Sequence, residues 1–213
     1  MHPRSLLLAT TIVLAATASP VHAQITGDSL KNILANASDT ALDRLSRPGA
    51  FSTDEAIRIS LPGASKQFGD ALKFTDKIGV TNDLSGQINR AAEAAAAEAK
   101  PIFRAAIDRI TLRDAIGIGT RGNTAGTDYL KRTSGTEITN RMEPLVKSAL
   151  QQAGAFRRTA PLASIGMNED KLTTYVAQKT SDGIFTYMGR EETRMRSDPM
   201  ATGRTMMKGL KFQ

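Results

Sequence analysis

The residue with the most chemical promise is Glu191. In the run from Glu169 to Arg196, a step of about 100° per residue places Ala177, Thr180, Ile184, Tyr187, Met188 and Met195 on one face. Glu191 falls on that face between Tyr187 and Met195, whereas Glu192 is read as pointing aside. A carboxylate on an apolar face must find a partner or shift its pKa, because burial of an unpaired charge is costly. The expectation is a buried Glu191 paired with an arginine from another helix, and the competing use is a binding or catalytic carboxylate. Asp182-Gly183 sits in the same run. A mid-helix glycine costs roughly 1 kcal/mol relative to alanine, which predicts close approach of another backbone at that point.

Two further patterns invite chemistry and carry less of it. Gly117-Ile118-Gly119-Thr120-Arg121-Gly122 matches G-x-G-x-x-G. Dinucleotide binding needs a strand before that pattern and a helix opening directly after it. The preceding residues read as helix, and no Gly-Lys-Ser/Thr follows. The stretch is therefore read as an interhelical loop, and no cofactor is expected. Arg157-Arg158, beside Phe156, is read as solvated loop charge, with an anion contact as the alternative.

The N-terminus narrows the chemistry further. Met1 to Ser5 carries one positive charge, Arg4, and an apolar run from Leu6 to Ala18 follows. Ser19-Pro20-Val21-His22-Ala23 then offers small residues at Val21 and Ala23, as a cleavage site requires. These features predict a signal peptide over residues 1–23, a cut after Ala23, and an exported, periplasmic domain over 24–213. The run is shorter than the roughly 20 residues of a membrane span, and no second one follows, so no transmembrane anchor is expected. Both histidines, His2 and His22, lie in the predicted leader, and the chain has no Cys and no Trp. Ser-His-Asp or Cys-His nucleophiles and His- or Cys-ligated zinc are excluded on that reading. Acid–base work would fall to Asp, Glu, Lys or Tyr, and no metal is expected.

The charge balance is basic: 28 Lys and Arg against 21 Asp and Glu give +7, and the leader takes only Arg4 away. Such a balance can signal nucleic acid. Here the basic residues are interleaved with acids in an exported chain, so no nucleic acid is expected. The reading is a solvated mixed-charge surface, with attraction to an anionic envelope surface as the alternative.

The elements that must position these residues are helical. From Asp28 to Arg47, Leu30, Ile33, Leu34, Ala37, Ala41, Leu42 and Leu45 recur on one face until Pro48-Gly49. Ser52 and Glu55 have capping-box spacing. Ile57-Arg58-Ile59-Ser60-Leu61-Pro62 alternates as a short extended connector without a strand partner. A helix is predicted over 64–78, with Phe68, Ala71 and Leu72 inward. Another is capped by Asn82 and carries Leu84, Ile88, Ala91, Ala92 and Ala95. Pro101 breaks or kinks it, and Ile102, Phe103, Ala106, Ile107 and Ile110 continue the apolar face. Thr111 with Asp114 caps a short helix to about Ile116. Gly117–Gly126 is then read as a loop dividing two halves. A short helix over Asp128–Lys131 precedes a capping box at Ser134 and Glu137, which opens a helix ended by Gly154. Asn168 caps the last long helix, with Glu169 and Asp170 in its first turn. The tail from Pro199 is basic and is read as a final short helix.

Taken together these segments resemble the bacterial family catalogued as domain of unknown function 4197. The resembling residues are Ile57 to Pro62, Asn89-Arg90-Ala91-Ala92-Glu93-Ala94-Ala95, Lys100-Pro101-Ile102-Phe103 and Thr127-Asp128-Tyr129-Leu130. The strongest series is Tyr175-Val176, Lys179, Asp182-Gly183-Ile184-Phe185, Glu191-Glu192, Arg196 and Pro199. The resemblance implies an exported helical protein and supplies no activity, substrate or catalytic residue. The tail, Met206-Met207-Lys208-Gly209-Leu210-Lys211-Phe212, is less apolar than the resemblance leads one to expect.

The expected architecture is an all-α bundle of about seven helices with one short extended segment. The candidate ligand or ion-pair residues are Lys179, Asp182, Glu191 and Arg196. The expected function is a non-enzymatic envelope protein that binds a protein partner or a small apolar or anionic ligand. The alternative is a carboxylate-dependent enzyme with Glu191 as acid or base, and a structural or assembly factor is a third reading. A deep polar cleft with two carboxylates is the feature that favours an enzyme.

Overall fold

The computed structural model describes residues 27–61, 80–118, 122–158 and 167–198. The predicted leader, the helix expected over 64–78 and the basic tail lie outside the described residues. Among those described, the chain forms seven α-helices and no strand. They are α1 (Gly27–Leu45), α2 (Ala50–Thr53), α3 (Val80–Glu98), α4 (Lys100–Asp108), α5 (Leu112–Ile118), α6 (Ala125–Gln152) and α7 (Glu169–Ser197), with a 3-10 turn at Ala155–Arg158.

Local chemistry sets several of these boundaries. The Asn168 side chain accepts the Lys171 N–H at 2.9 Å, and Glu169 and Asp170 sit in the first turn of α7. Thr111 and Asp114 cap α5 reciprocally: the Thr111 N–H donates to Asp114 Oδ2 at 2.9 Å, and the Asp114 N–H donates back to Thr111 Oγ1 at 3.3 Å. Pro101 lies in the first turn of α4, where its missing N–H costs nothing.

Other boundaries depart from the sequence reading. Residues 128–131 and 134–150 belong to one helix, α6. The Ser134–Glu137 spacing also fits a helix interior, and Glu137 is drawn sideways to Arg109 and Arg141, at 2.6 and 3.0 Å. The loop expected over Gly117–Gly126 overlaps two helices, because α5 takes in Gly117 and Ile118 and α6 starts at Ala125. It divides nothing: α6 packs on α3 and α4, which precede that loop. Asn82 lies inside α3 rather than capping it. Ser52 lies inside α2, whose N-cap is Gly49. Arg157 and Arg158 form the 3-10 turn rather than a loop.

Ion pairs and hydrogen bonds report how the helices run. Along α1 and α4, Lys31 donates to the Asp108 carbonyl, Asp39 meets Arg104, and Asp43 meets Lys100, an antiparallel pairing. Along α6 and α7, Thr127 meets Glu192, Lys131 meets Asp182, and Lys147 meets Asp170, again antiparallel. Inside lie Leu30, Leu34 and Leu42 of α1, Phe103 of α4, Met142 and Val146 of α6 and Met188 of α7, all fully buried. Phe103 and Phe185 meet at 5.5 Å with rings tilted by 59°, within the distance range of favourable aromatic pairs.

The extended connector after α2 finds its partner in a side chain. Asn89 on α3 accepts the Ile59 N–H at 2.9 Å and donates to the Ile59 carbonyl at 2.8 Å. The carboxamide thus does for Ile59 what a neighbouring strand would, which lets Ile57, Ile59 and Leu61 stay buried. Tyr175 of α7 donates its hydroxyl to the Ser60 carbonyl at 2.7 Å. Gly183 is approached by a ring and not by a backbone. An added Cβ there would stand 2.8 Å from Phe51 Cε1.

Candidate functional site

The four residues singled out on α7 do not form one site. Glu191 is 2% exposed and is clamped by Arg44 of α1 at 2.6 Å and by Arg194 at 2.8 Å. Asp182 pairs with Lys131 of α6 at 2.8 Å and takes a hydrogen bond from Gln178 at 3.3 Å. Lys179 is exposed, with its ammonium 5.8 Å from the Tyr175 ring centroid. Arg196 is buried against Glu192.

Glu192 corrects the sequence reading, because it is the more deeply buried of the two glutamates, with no exposed surface. Its Oε1 accepts the Gly126 N–H at 3.0 Å and its Oε2 the Thr127 N–H at 2.7 Å. Both are first-turn donors of α6, which has no side-chain cap of its own. Arg196 closes the arrangement, with Nε and Nη2 at 2.9 and 2.8 Å from Oε1. Glu192 thus occupies the positive end of α6 from inside the fold. The glycine-rich stretch before α6 therefore meets a helix start already satisfied by a carboxylate, and α5 precedes it where a dinucleotide site needs a strand.

A cleft that could hold a small molecule lies between α5 and α6. It has a volume of about 390 Å³ and is lined by Arg113, Asp114, Ile118, Ala125, Asp128, Tyr129 and Arg132. On α6 these residues stand at i, i+3, i+4 and i+7 from Ala125, one continuous face. Asp114 Oδ2 accepts both the hydroxyl and the N–H of Thr111, at 2.7 and 2.9 Å. The Thr111 hydroxyl, then its N–H, then the Tyr129 hydroxyl hold the Asp114 carboxyl below its ordinary pKa. The Tyr129 phenol is raised, first by burial and then by its hydrogen bond to Asp114. Asp128 accepts the Thr124 hydroxyl at 2.9 Å. The Arg132 guanidinium stands 5.5 Å from the Tyr129 ring centroid. Among the described residues, Arg113 and Arg132, like Arg47, Arg58, Arg90 and Arg157, are in no ion pair, whereas Arg44, Arg104, Arg109, Arg141, Arg190, Arg194 and Arg196 are.

None of the four predicted site residues lines this cleft. The sequence reading broke α6 into a loop and two helices, and so scattered a face that a single helix assembles. The usable signal was the spacing Ala125, Asp128, Tyr129, Arg132, read as one helix. Among the described residues, no group of three or more His, Cys, Asp or Glu is placed to hold a metal ion. No described helix is long and apolar enough to cross a membrane.

The family model described as "Protein of unknown function (DUF4197)" matches residues 21–210, nearly the whole chain. No curated protein and no solved structure matches.

Proposed function

We propose that this chain, which belongs to the DUF4197 family, is an exported, non-enzymatic binding protein that takes a small ligand in the α5–α6 cleft. One observation carries the reading. Two guanidiniums, Arg113 and Arg132, line a cleft of about 390 Å³ without an ion-pair partner among the described residues. Unpaired guanidiniums at a concave surface keep their full hydrogen-bonding capacity for a ligand. Export rests on the leader-like residues 1–23, and the family match starts at residue 21, beside the predicted cut after Ala23.

The cleft does hold two carboxylates, Asp114 and Asp128, the feature expected of an acid–base enzyme. Their chemistry favours binding. Asp114 stays ionised under two donors from Thr111 and one from Tyr129, so it is neither a proton donor at neutral pH nor a strong base. Glu191, the other acid–base candidate, is committed to Arg44 and Arg194.

Native mass spectrometry on the protein purified from its own host tests the reading. The expected spectrum shows a chain beginning at Gln24 with an added mass that is lost on denaturation. That mass is also expected to be absent from the Arg113→Gln/Arg132→Gln variant, whose thermal melt stays intact. A bare wild-type chain, or an added mass that survives in the double variant, overturns the proposal.

A further inference from the structure

We infer that the ligand class of the α5–α6 cleft is a zwitterion: a small molecule with one carboxylate and one ammonium group, as in a free α-amino acid. This deepens, and rests on, the reading of that cleft as a binding site.

The four ionised side chains of its described lining, Arg113, Arg132, Asp114 and Asp128, are balanced two against two. A simple anion would answer the guanidiniums but leave two carboxylates facing a like charge. A simple cation would do the reverse. A molecule with both charges and no net charge leaves neither pair opposed.

The partners divide by what each has left to give. Arg132 is set beside the Tyr129 ring, 5.5 Å from its centroid, and Arg113 stands exposed on the first turn of α5. Both guanidiniums offer the forked donors that match a carboxylate. The helix end that might otherwise bind an anion is taken, because Glu192 accepts the Gly126 and Thr127 N–H groups at 3.0 and 2.7 Å. Recognition of the ligand carboxylate therefore falls to the arginines.

For the ammonium the better acceptor is Asp128. Asp114 already takes two donors from Thr111 on Oδ2 and shares its charge with Tyr129. Among the described residues Asp128 takes only the Thr124 hydroxyl, at 2.9 Å, which leaves most of a carboxylate's roughly four acceptor sites open. Ile118 and Ala125 supply the apolar wall for a side chain. A volume of about 390 Å³ leaves room for one, since a cavity of about 150 Å³ already accommodates benzene.

The test is a thermal-shift screen of the mature protein against the free L-α-amino acids, followed by calorimetry. The tightest binder is compared with its N-acetyl form, which lacks the ammonium, and its methyl ester, which lacks the carboxylate. Inorganic phosphate and putrescine serve as probes that carry charge of one sign only. The expected result is that at least one amino acid binds and that each capped form is at least tenfold weaker. Phosphate and putrescine should be weaker still. Asp128→Asn should weaken the free amino acid and leave its N-acetyl form unchanged, a split that a general loss of folding cannot produce. Capped forms that bind as well as the parent, tighter binding of phosphate or putrescine, or no response to any amino acid would overturn the zwitterion. If the screen fails while the host-purified protein carries a mass that Arg113→Gln/Arg132→Gln removes, only the ligand class is wrong. A host mass that survives that double substitution removes the cleft reading as well.

Discussion

Glu191 and Glu192 are consecutive on α7, yet their carboxylates bind to different helices. Glu191 reaches Arg44 on α1 at 2.6 Å, and Glu192 reaches the Thr127 N–H on α6 at 2.7 Å. One pair of neighbouring acids therefore ties α7 to both α1 and α6. The two differ in environment. Arg44 and Arg194 are about half exposed, at 50% and 52%, whereas Arg196 is 8% exposed beside Glu192. An exposed partner is screened by water and a buried one is not, so the Glu192 side of the arrangement is the more consequential for stability.

Replacing Glu192 with alanine is expected to destabilise the protein by about 3–5 kcal/mol, the cost of stranding one member of a buried pair. The double variant Glu192→Leu/Arg196→Met should recover only part of that loss, because the Gly126 and Thr127 N–H groups still lose their acceptor. Urea unfolding of the two variants and the wild type measures both. A loss under 1 kcal/mol for Glu192→Ala would contradict the burial described above.

Gly183→Ala pits helix propensity against space. Alanine gains roughly 1 kcal/mol in a helix interior, but its Cβ would lie 2.8 Å from Phe51 Cε1. Overpacking of this kind costs about 1–3 kcal/mol, so a net loss of stability is expected. Phe51→Leu is itself destabilising, yet in its background Gly183→Ala should cost less than it does alone. Additive effects in that double-mutant cycle would show that the ring does not constrain residue 183.

Asn89→Leu keeps the volume of the side chain and removes its hydrogen bonds. The Ile59 N–H, bonded to Asn89 at 2.9 Å, then loses its partner in a buried setting, and the Ile59 carbonyl keeps only the Ser85 hydroxyl, at 3.5 Å. A loss of about 1–3 kcal/mol per stranded group is expected. Hydrogen exchange at the Ile59 amide should accelerate more than exchange in α7. Unchanged protection at Ile59 would mean that another group holds the connector.

Asp54 makes stability depend on pH. It accepts Arg190 at 2.6 Å, the Ala56 N–H at 2.9 Å and the Tyr187 hydroxyl at 2.9 Å. The Arg190 hydrogen bond first, then Ala56, then Tyr187, hold its carboxyl below the ordinary value. A depressed carboxylate stabilises the fold above its unfolded pKa, about 3.9. That contribution is lost as pH falls through the lower, folded value. Wild-type stability should therefore drop through this acid window, and Asp54→Asn should flatten that drop while lowering stability at neutral pH. Parallel curves for the two proteins would remove Asp54 from the acid transition.

What the sequence determined by itself was what depends on residues within about four positions of one another. The helical class follows from apolar residues at i, i+3 and i+4, as in Leu30, Leu34 and Leu42. The Asn168 cap, the Thr111–Asp114 exchange and the break at Pro101 are local hydrogen-bond chemistry of the same range. Burial of Glu191 was legible because most of its face is apolar. Glu192 was not, since the donors it serves lie 66 and 65 residues away at the start of α6. The same holds for Asn89, whose partner Ile59 is 30 residues distant, and for the ring that presses on Gly183. The α5–α6 cleft depended on both levels. The face Ala125, Asp128, Tyr129, Arg132 was written in the sequence, but only packing showed that one helix spans it, because a buried carboxylate on α7 caps that helix where local residues do not. A helix end satisfied from across the fold leaves no mark in the residues around it, and so only tertiary structure showed where α6 begins.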